Sequence, residues 1–264
     1  MKKPYFKILL VICMTFFYAC ADSSKEKETT PKKTEKTEEP KKQPQPKVTV
    51  VENTKPAFGI DISFYQGNEI DDLEKDRDSI DFIICKATQG IGIVDPMFQH
   101  NWVTIKEKGF IRGAYHFYES INNPIEQAEF FIQQIQDIQP NDLPPVIDVE
   151  NGGIESGQSI EEIQLSVLTF LKTIEERLHI KPIIYTNTDF ADQYLRNDKL
   201  AEYPLWIADY ESQKEPVLPI TWKEKGYVLW QKSDTYKILN YTNDEDYFNG
   251  DLESLKAFIK KSRQ

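Results

Sequence analysis

Asp148 and Glu150 stand two residues apart at the end of the apolar run Leu143-Pro144-Pro145-Val146-Ile147. In a strand, residues i and i+2 share a face, so both carboxyls point one way while Ile147 and Val149 point the other. Packing does not account for two acids at a strand exit, because burying an unpaired charge is costly. Hydrolysis of a glycosidic bond does account for them. That reaction needs one protonated acid to serve the leaving oxygen and one ionised carboxylate beside it.

Other strand-like runs end in similar chemistry. Phe58-Gly59-Ile60-Asp61-Ile62-Ser63 places Asp61 on the face shared by Gly59 and Ser63, opposite Phe58, Ile60 and Ile62. A lone Asp there would be a turn or cap residue; beside a second strand end with two acids, a shared site is the better reading. Gly113-Ala114-Tyr115-His116-Phe117-Tyr118 ends in a polar-aromatic cluster. So do Pro204-Leu205-Trp206-Ile207-Ala208-Asp209-Tyr210 and Val228-Leu229-Trp230-Gln231. Aromatic faces flanked by hydrogen-bonding groups suit sugar rings, although Trp and Tyr also fill cores.

The elements that must carry these residues alternate. Strands are expected at 57–63, 81–87, 109–118, in the run from Leu143 that holds Asp148 and Glu150, and at 182–186, 205–209 and 227–231. Helices are expected within 69–78 and at 96–108, 124–138, 159–179, 189–196 and 251–261. Ser159-x-x-Glu162 is a capping box that opens the longest of them. Strands alternating with helices call for a parallel sheet. Five β-α units followed by strands with little helix between them predict an α/β barrel completed irregularly, with functional residues at the C-terminal strand ends.

Charge is unevenly spread. Residues 1–56 hold 12 Lys/Arg and 7 Asp/Glu, whereas residues 57–264 hold 20 and 36, a net charge of −16. So acidic a domain argues against a nucleic-acid partner. Residues 1–20 read as a signal peptide: Lys2, Lys3 and Lys7 precede an apolar stretch at 8–19 that is too short for a permanent membrane span. Phe17-Tyr18-Ala19-Cys20 resembles a bacterial lipoprotein cleavage box, which would make Cys20 the lipidated first residue and the chain's attachment to a membrane. Residues 21–56, rich in Lys, Glu, Thr, Pro and Gln, read as a disordered linker to a catalytic domain at 57–264. Cys85 lies within the apolar run 82–85 and has no cysteine partner in that domain, so it reads as packing. A metal-dependent hydrolase would need clustered imidazoles, and His100, His116 and His179 are too scattered to supply them. No Gly-x-Ser-x-Gly elbow is present for a nucleophilic triad. No metal and no cofactor are expected.

From Gly59 to about Ile259 the chain resembles the glycoside hydrolase family 25 lysozymes, N-acetylmuramidases that cut peptidoglycan. The motifs that carry the resemblance occur in order: Gly59-Ile60-Asp61-Ile62-Ser63, Ile84-Cys85-Lys86-Ala87-Thr88-Gln89-Gly90, Gly113-Ala114-Tyr115-His116-Phe117, Asp148-x-Glu150, Ile184-Tyr185-Thr186, Trp206-x-Ala208-x-Tyr210, Trp230-Gln231 and a terminal Asp-x-x-x-Phe-Asn-Gly. The resemblance implies a modified TIM-like barrel, (β/α)5 plus three further strands. It implies Glu150 as general acid, Asp148 as the partner of the substrate's 2-acetamido group, and Asp61 and Asp244 as further site carboxylates. Asp244 follows from counting back four from Phe248, with Asp246 close by. Tyr115, Tyr185, Trp206 and Gln231 fall where the family meets substrate. Gln89 stands where a Glu is common and Asp209 where a His is common, and either could alter glycan preference.

Two residues of strand span about 6.6 Å at a rise of ~3.3 Å each. Direct-displacement retaining enzymes keep their carboxyls roughly 5–5.5 Å apart. If Glu150 is the acid, Asp148 is badly placed as nucleophile. Either the substrate's own acetamido oxygen attacks, or water enters with inversion. The expected partner is a peptidoglycan glycan strand, met by a monomer anchored in the cell envelope, periplasmic or on the outer surface. A lipid-anchored wall-binding protein without turnover and a chitinase-like glycosidase are the rival readings.

Overall fold

A computed structural model describes residues 55–264. The expected signal peptide, Cys20 and residues 21–54 of the linker lie outside the described residues. Eight strands close into a barrel: β1 (Phe58–Ile62), β2 (Phe82–Gln89), β4 (Ile111–Phe117), β5 (Val146–Asp148), β6 (Ile183–Asn187), β7 (Leu205–Ala208), β8 (Leu229–Ile238) and β9 (Tyr241–Phe248). The short β3 (Ile93–Val94) adds an antiparallel edge to β2. Neighbours from β1 through β8 run parallel. β9 runs antiparallel to both β8 and β1 and completes the ring.

Helices α1 (Glu69–Asp72), α2 (Lys75–Asp78), α3 (Phe98–Glu107), α4 (Pro124–Gln134), α5 (Ile160–Leu178) and α6 (Thr188–Tyr194) follow the first five barrel strands, and α7 (Leu252–Lys261) ends the chain. Only 3-10 turns accompany β7 and β8. The result is the expected five β-α units with three further strands. The single helix expected within 69–78 is two short ones, because Leu73 between them is extended (ψ 142°). In α5 the capping box forms as expected, Ser159 accepting from Glu162 N–H while the Glu162 carboxylate accepts from Ser159.

Alternation sorts the strand residues into two layers. Ile60, Ile83, Cys85, Ile147, Ile184 and Ile207 face outward against helices such as α5, with its Val167, Phe170, Leu171 and Ile174. Phe82, Ile84, Val146, Ile183, Leu229 and Phe248 fill one end of the barrel, where Leu255 and Ile259 of α7 join them. Gly59 is required by this filling: a Cβ there would meet the Phe82 ring at 2.3 Å. Cys85 is a buried free thiol in the outer layer. The apolar plug leaves the other end of the barrel for polar groups.

Behind β9, the fully buried Glu69 of α1 accepts from Asn243 Nδ2 at 2.7 Å, and its second oxygen has no partner. Burial is the main cause that raises its pKa to about 7. A carboxyl with a raised folded pKa contributes stability below its unfolded value, near 4.5, and that contribution is lost as pH rises through about 7. Glu69→Gln reproduces the protonated form and should be about 1–3 kcal/mol more stable than the parent at pH 8, with little difference at pH 4. Urea unfolding at both pH values checks this; parallel behaviour of the two proteins would refute it.

Candidate active site

The C-terminal strand ends bring all eight residues singled out from the sequence into one pocket of about 220 Å³: Asp61, Tyr115, Asp148, Glu150, Tyr185, Trp206, Gln231 and Asp244 line it, together with Lys86 and Phe117. Register explains the convergence. Asp61 lies opposite Asp244, Lys86 beside Tyr115, Phe117 beside Asp148, Asp148 beside Tyr185, and Tyr185 beside Trp206. β5 itself stops at Asp148, yet Val149 N–H still donates to Tyr185 C=O at 3.0 Å. Glu150 keeps an extended backbone (φ −147°, ψ 175°) before a 3-10 turn at Asn151–Gly153. The two acids therefore stay on one face, as i and i+2 require. Two larger hollows, 720 and 890 Å³, are lined by residues near the opposite strand ends and by α7. Neither gathers carboxyls in this way.

One wall carries the acid pair. Asp148 is buried and its Oδ1 has no hydrogen-bond partner. Burial first, then the neighbouring Glu150, holds its carboxyl well above the usual range, with Lys86 acting against them. Glu150 is raised too, by burial, with Lys86 again opposing. Burial thus favours the shared proton on Asp148 when the site is empty, while Lys86 favours charge on both. Lys86 Nζ donates to Gln89 Oε1 at 3.0 Å and lies 4.9 Å from the Phe117 ring centre.

The opposite wall is a stack of three acids. Burial, then Asp244, raises Asp61 far above its ordinary value, and burial raises Asp244 to about 6. Asp246, fully buried, is raised strongly by burial and by Asp61. Gln231 is fixed by its neighbours: the Tyr185 and Tyr210 hydroxyls donate to its Oε1 at 2.7 and 2.6 Å, so its Nε2 donates to Asp61 Oδ2 at 2.6 Å. Trp206 is only 2% exposed, stands edge-on to Tyr185, and donates its indole N–H to Asp246 Oδ1 at 2.9 Å. It forms floor rather than an open stacking face.

The sequence profile described as "Glycosyl hydrolases family 25" matches residues 60–241. The chain belongs to that family. It is a glycoside hydrolase of the lysozyme type. The family 25 chain is 35% identical over 208 residues to the uncharacterized protein YegX of Escherichia coli (strain K12), covering 76% of this chain and 72% of the relative. It is 28% identical over 212 residues to an N,O-diacetylmuramidase of Arthroderma benhamiae, covering 76% and 86%. The structure of the bacterial lysozyme from Streptomyces coelicolor superposes with a TM-score of 0.70 at 25% identity, over 80% of this chain and all of that one. The family match stops short of Asp244 and Asp246, whose place in the site rests on the closure of β9 against β1.

Two departures from the family pattern lie outside the pocket lining. Gln89 donates to Glu119 Oε1 at 2.8 Å and accepts from Lys86. Asp209 organises the loop after β7, accepting from Glu211, Ser212 and Val217 N–H groups and from the Ser212 hydroxyl. His116 points away from the pocket. It is buried against Thr88 and Gln127; burial, helped by the charge of Lys86 and opposed by the Gln127 hydrogen bond, lowers its pKa to about 3 and keeps it neutral. Lys86 was missed in the sequence, although alternation from Phe82 and Ile84 puts it on the inner face, where an amine has no packing role.

Proposed function

We propose that this family 25 enzyme cleaves the β-1,4 bond between N-acetylmuramic acid and N-acetylglucosamine in peptidoglycan, with Glu150 as general acid and Asp148 holding the 2-acetamido group. The supporting observation is the orphaned Asp148 Oδ1, a buried acceptor beside a carboxyl of raised pKa. A buried acceptor left unpaired is costly until a donor arrives. An acetamido N–H is such a donor. Its arrival favours the charged form of Asp148 and leaves the shared proton on Glu150, so substrate binding itself arms the acid.

Glu150 then protonates the glycosidic oxygen as the C1–O bond breaks. The acetamido carbonyl oxygen closes on C1, and Asp148 stabilises the positive charge that develops on the amide. Water next attacks C1, giving its proton to the Glu150 carboxylate and reopening the ring. Asp61 and Asp244 face the sugar from the other wall, and Tyr115 and Tyr185 remain neutral donors because burial and the acids raise their pKa values. The names of the diacetylmuramidase and lysozyme relatives support the substrate class. The N-terminal sequence supports an enzyme exported to the cell envelope and anchored through a lipid on Cys20; there it would act as a monomer on glycan strands.

The bond is tested by borohydride reduction of fragments released from purified peptidoglycan, followed by mass spectrometry. Reduced muramic acid at the new ends is expected. Reduced glucosamine ends would refute the assignment, and binding without release would turn the enzyme into a wall-binding protein.

A further inference from the structure

Asp246 has no role in the scheme above, yet it is the most enclosed acid of the site. It is 0% exposed, and its Oδ2 is buried without a hydrogen-bond partner. Its surroundings fix where a proton must be. The indole N–H of Trp206 is donor-only and points at Oδ1, so that oxygen accepts. Oδ2 remains, and the group within hydrogen-bonding contact of Asp246 is the carboxyl of Asp61. Two carboxylates cannot hydrogen-bond each other; a carboxylic acid and a carboxylate can. The Gln231 amide, oriented by two phenols, already donates to Asp61 Oδ2.

We infer that Asp246 is a positioning residue that keeps a resident proton on Oδ2 and donates it to Asp61, so that the innermost acid of the stack is neutral and its negative charge lies outward, on Asp61 and Asp244. The order of burial agrees. Asp246 is fully enclosed, Asp61 is 6% exposed, and Asp244 is half-buried at the pocket face. The directions of the titrations also agree, with Asp246 and Asp61 held far above the ordinary range and Asp244 reaching only about 6. The charged and titratable groups that line the pocket around the stack are Tyr115 of β4, Asp148 of β5, Tyr185 of β6, Glu150 and the single cation Lys86 of β2. No Lys, Arg or His is among the groups that act on Asp246 to draw its proton away; those groups are Asp61, Asp244 and Trp206. A fixed internal proton keeps Asp61 in one orientation and removes one negative charge from its wall, whatever the state of the Asp148–Glu150 pair opposite.

The consequence for catalysis rests on the function proposed above; the proton itself does not. Asp246→Asn keeps both hydrogen bonds, since the amide oxygen accepts from Trp206 and the amide N–H donates to Asp61. Asp246→Ala removes both. In the full-length protein, kcat on peptidoglycan should stay within about fivefold of the parent for Asp246→Asn and fall roughly ten- to a hundredfold for Asp246→Ala, the loss expected for one hydrogen bond to a charged group. An Asn variant as slow as the Ala variant would show that the carboxylate is needed, and an Ala variant at the parental rate would show that the residue positions nothing. Either result overturns the inference. Infrared spectra at neutral pH decide it without turnover, and without relying on the Ala variant to fold. The protonated-carboxyl carbonyl band of the parent should lose intensity in Asp246→Asn, and an unchanged band overturns the inference. A parent protein that shows the band change but cleaves no peptidoglycan would sink the proposed function and leave the proton in place.

Discussion

Glu150→Gln should fold as the parent does and lose peptidoglycan cleavage by about a thousandfold or more, toward the upper part of the range for a general acid. Glutamine fills the same space beside Asp148 and Lys86 but has no proton to give to the leaving oxygen. Glu150 follows the last residue of β5 by two and is not part of the barrel's packed layers, so the substitution removes no core contact. It also removes the like-charge neighbour that helps raise Asp148, so the variant should bind the acetamido group at least as well as the parent. Slow turnover with intact binding is the expected signature, read from cleavage rates together with pull-down on insoluble peptidoglycan. Turnover within tenfold of the parent would remove Glu150 from the role.

Asp148→Asn tests the other half of the pair. An amide can still accept the acetamido N–H, so substrate affinity should change little. It cannot neutralise the positive charge that builds on the acetamido group as its oxygen closes on C1. The expected loss is about 10²–10³ in kcat, comparable to removing one preorganised electrostatic contact, with KM within a few fold. An effect confined to KM would instead make Asp148 a binding residue only. The substitution should be tolerable to the fold, because burial already holds the Asp148 carboxyl toward its neutral form and the amide is neutral and of the same shape.

Much of this site was legible because barrels convert alternation into location. Asp148 and Glu150, Tyr185 and Trp206 are inner-face residues of runs whose other face is largely aliphatic, Tyr115 is one whose other face holds Ala114 and the buried His116, and the parallel register sets them at one level. β9 was not legible. Its eight residues, Tyr-Thr-Asn-Asp-Glu-Asp-Tyr-Phe, hold four acidic or amide side chains in a row and lack the apolar alternation of the other strands. They form a strand because the barrel supplies partners on both edges, Asp244 and Asp246 entering the pocket side while Asn243 meets Glu69 behind. The clue was the i, i+2 spacing of Asp244, Asp246 and Phe248, the same spacing that exposed Asp148 and Glu150. β8 was expected to end at 231 but continues to Ile238, since pairing with β9 extends it past any apolar signal. Lys86 shows the converse error, a single charged residue inside an apolar strand passed over because its neighbours read so clearly as core.

The proton NMR spectrum of freshly cleaved glycan, taken before mutarotation, tests the central claim most directly. Attack by the substrate's acetamido oxygen followed by water displaces twice at C1. Each new muramic acid reducing end is therefore expected to appear first as the β anomer. First appearance of the α anomer would mean a single displacement by water and would contradict the roles given to Asp148 and the acetamido group.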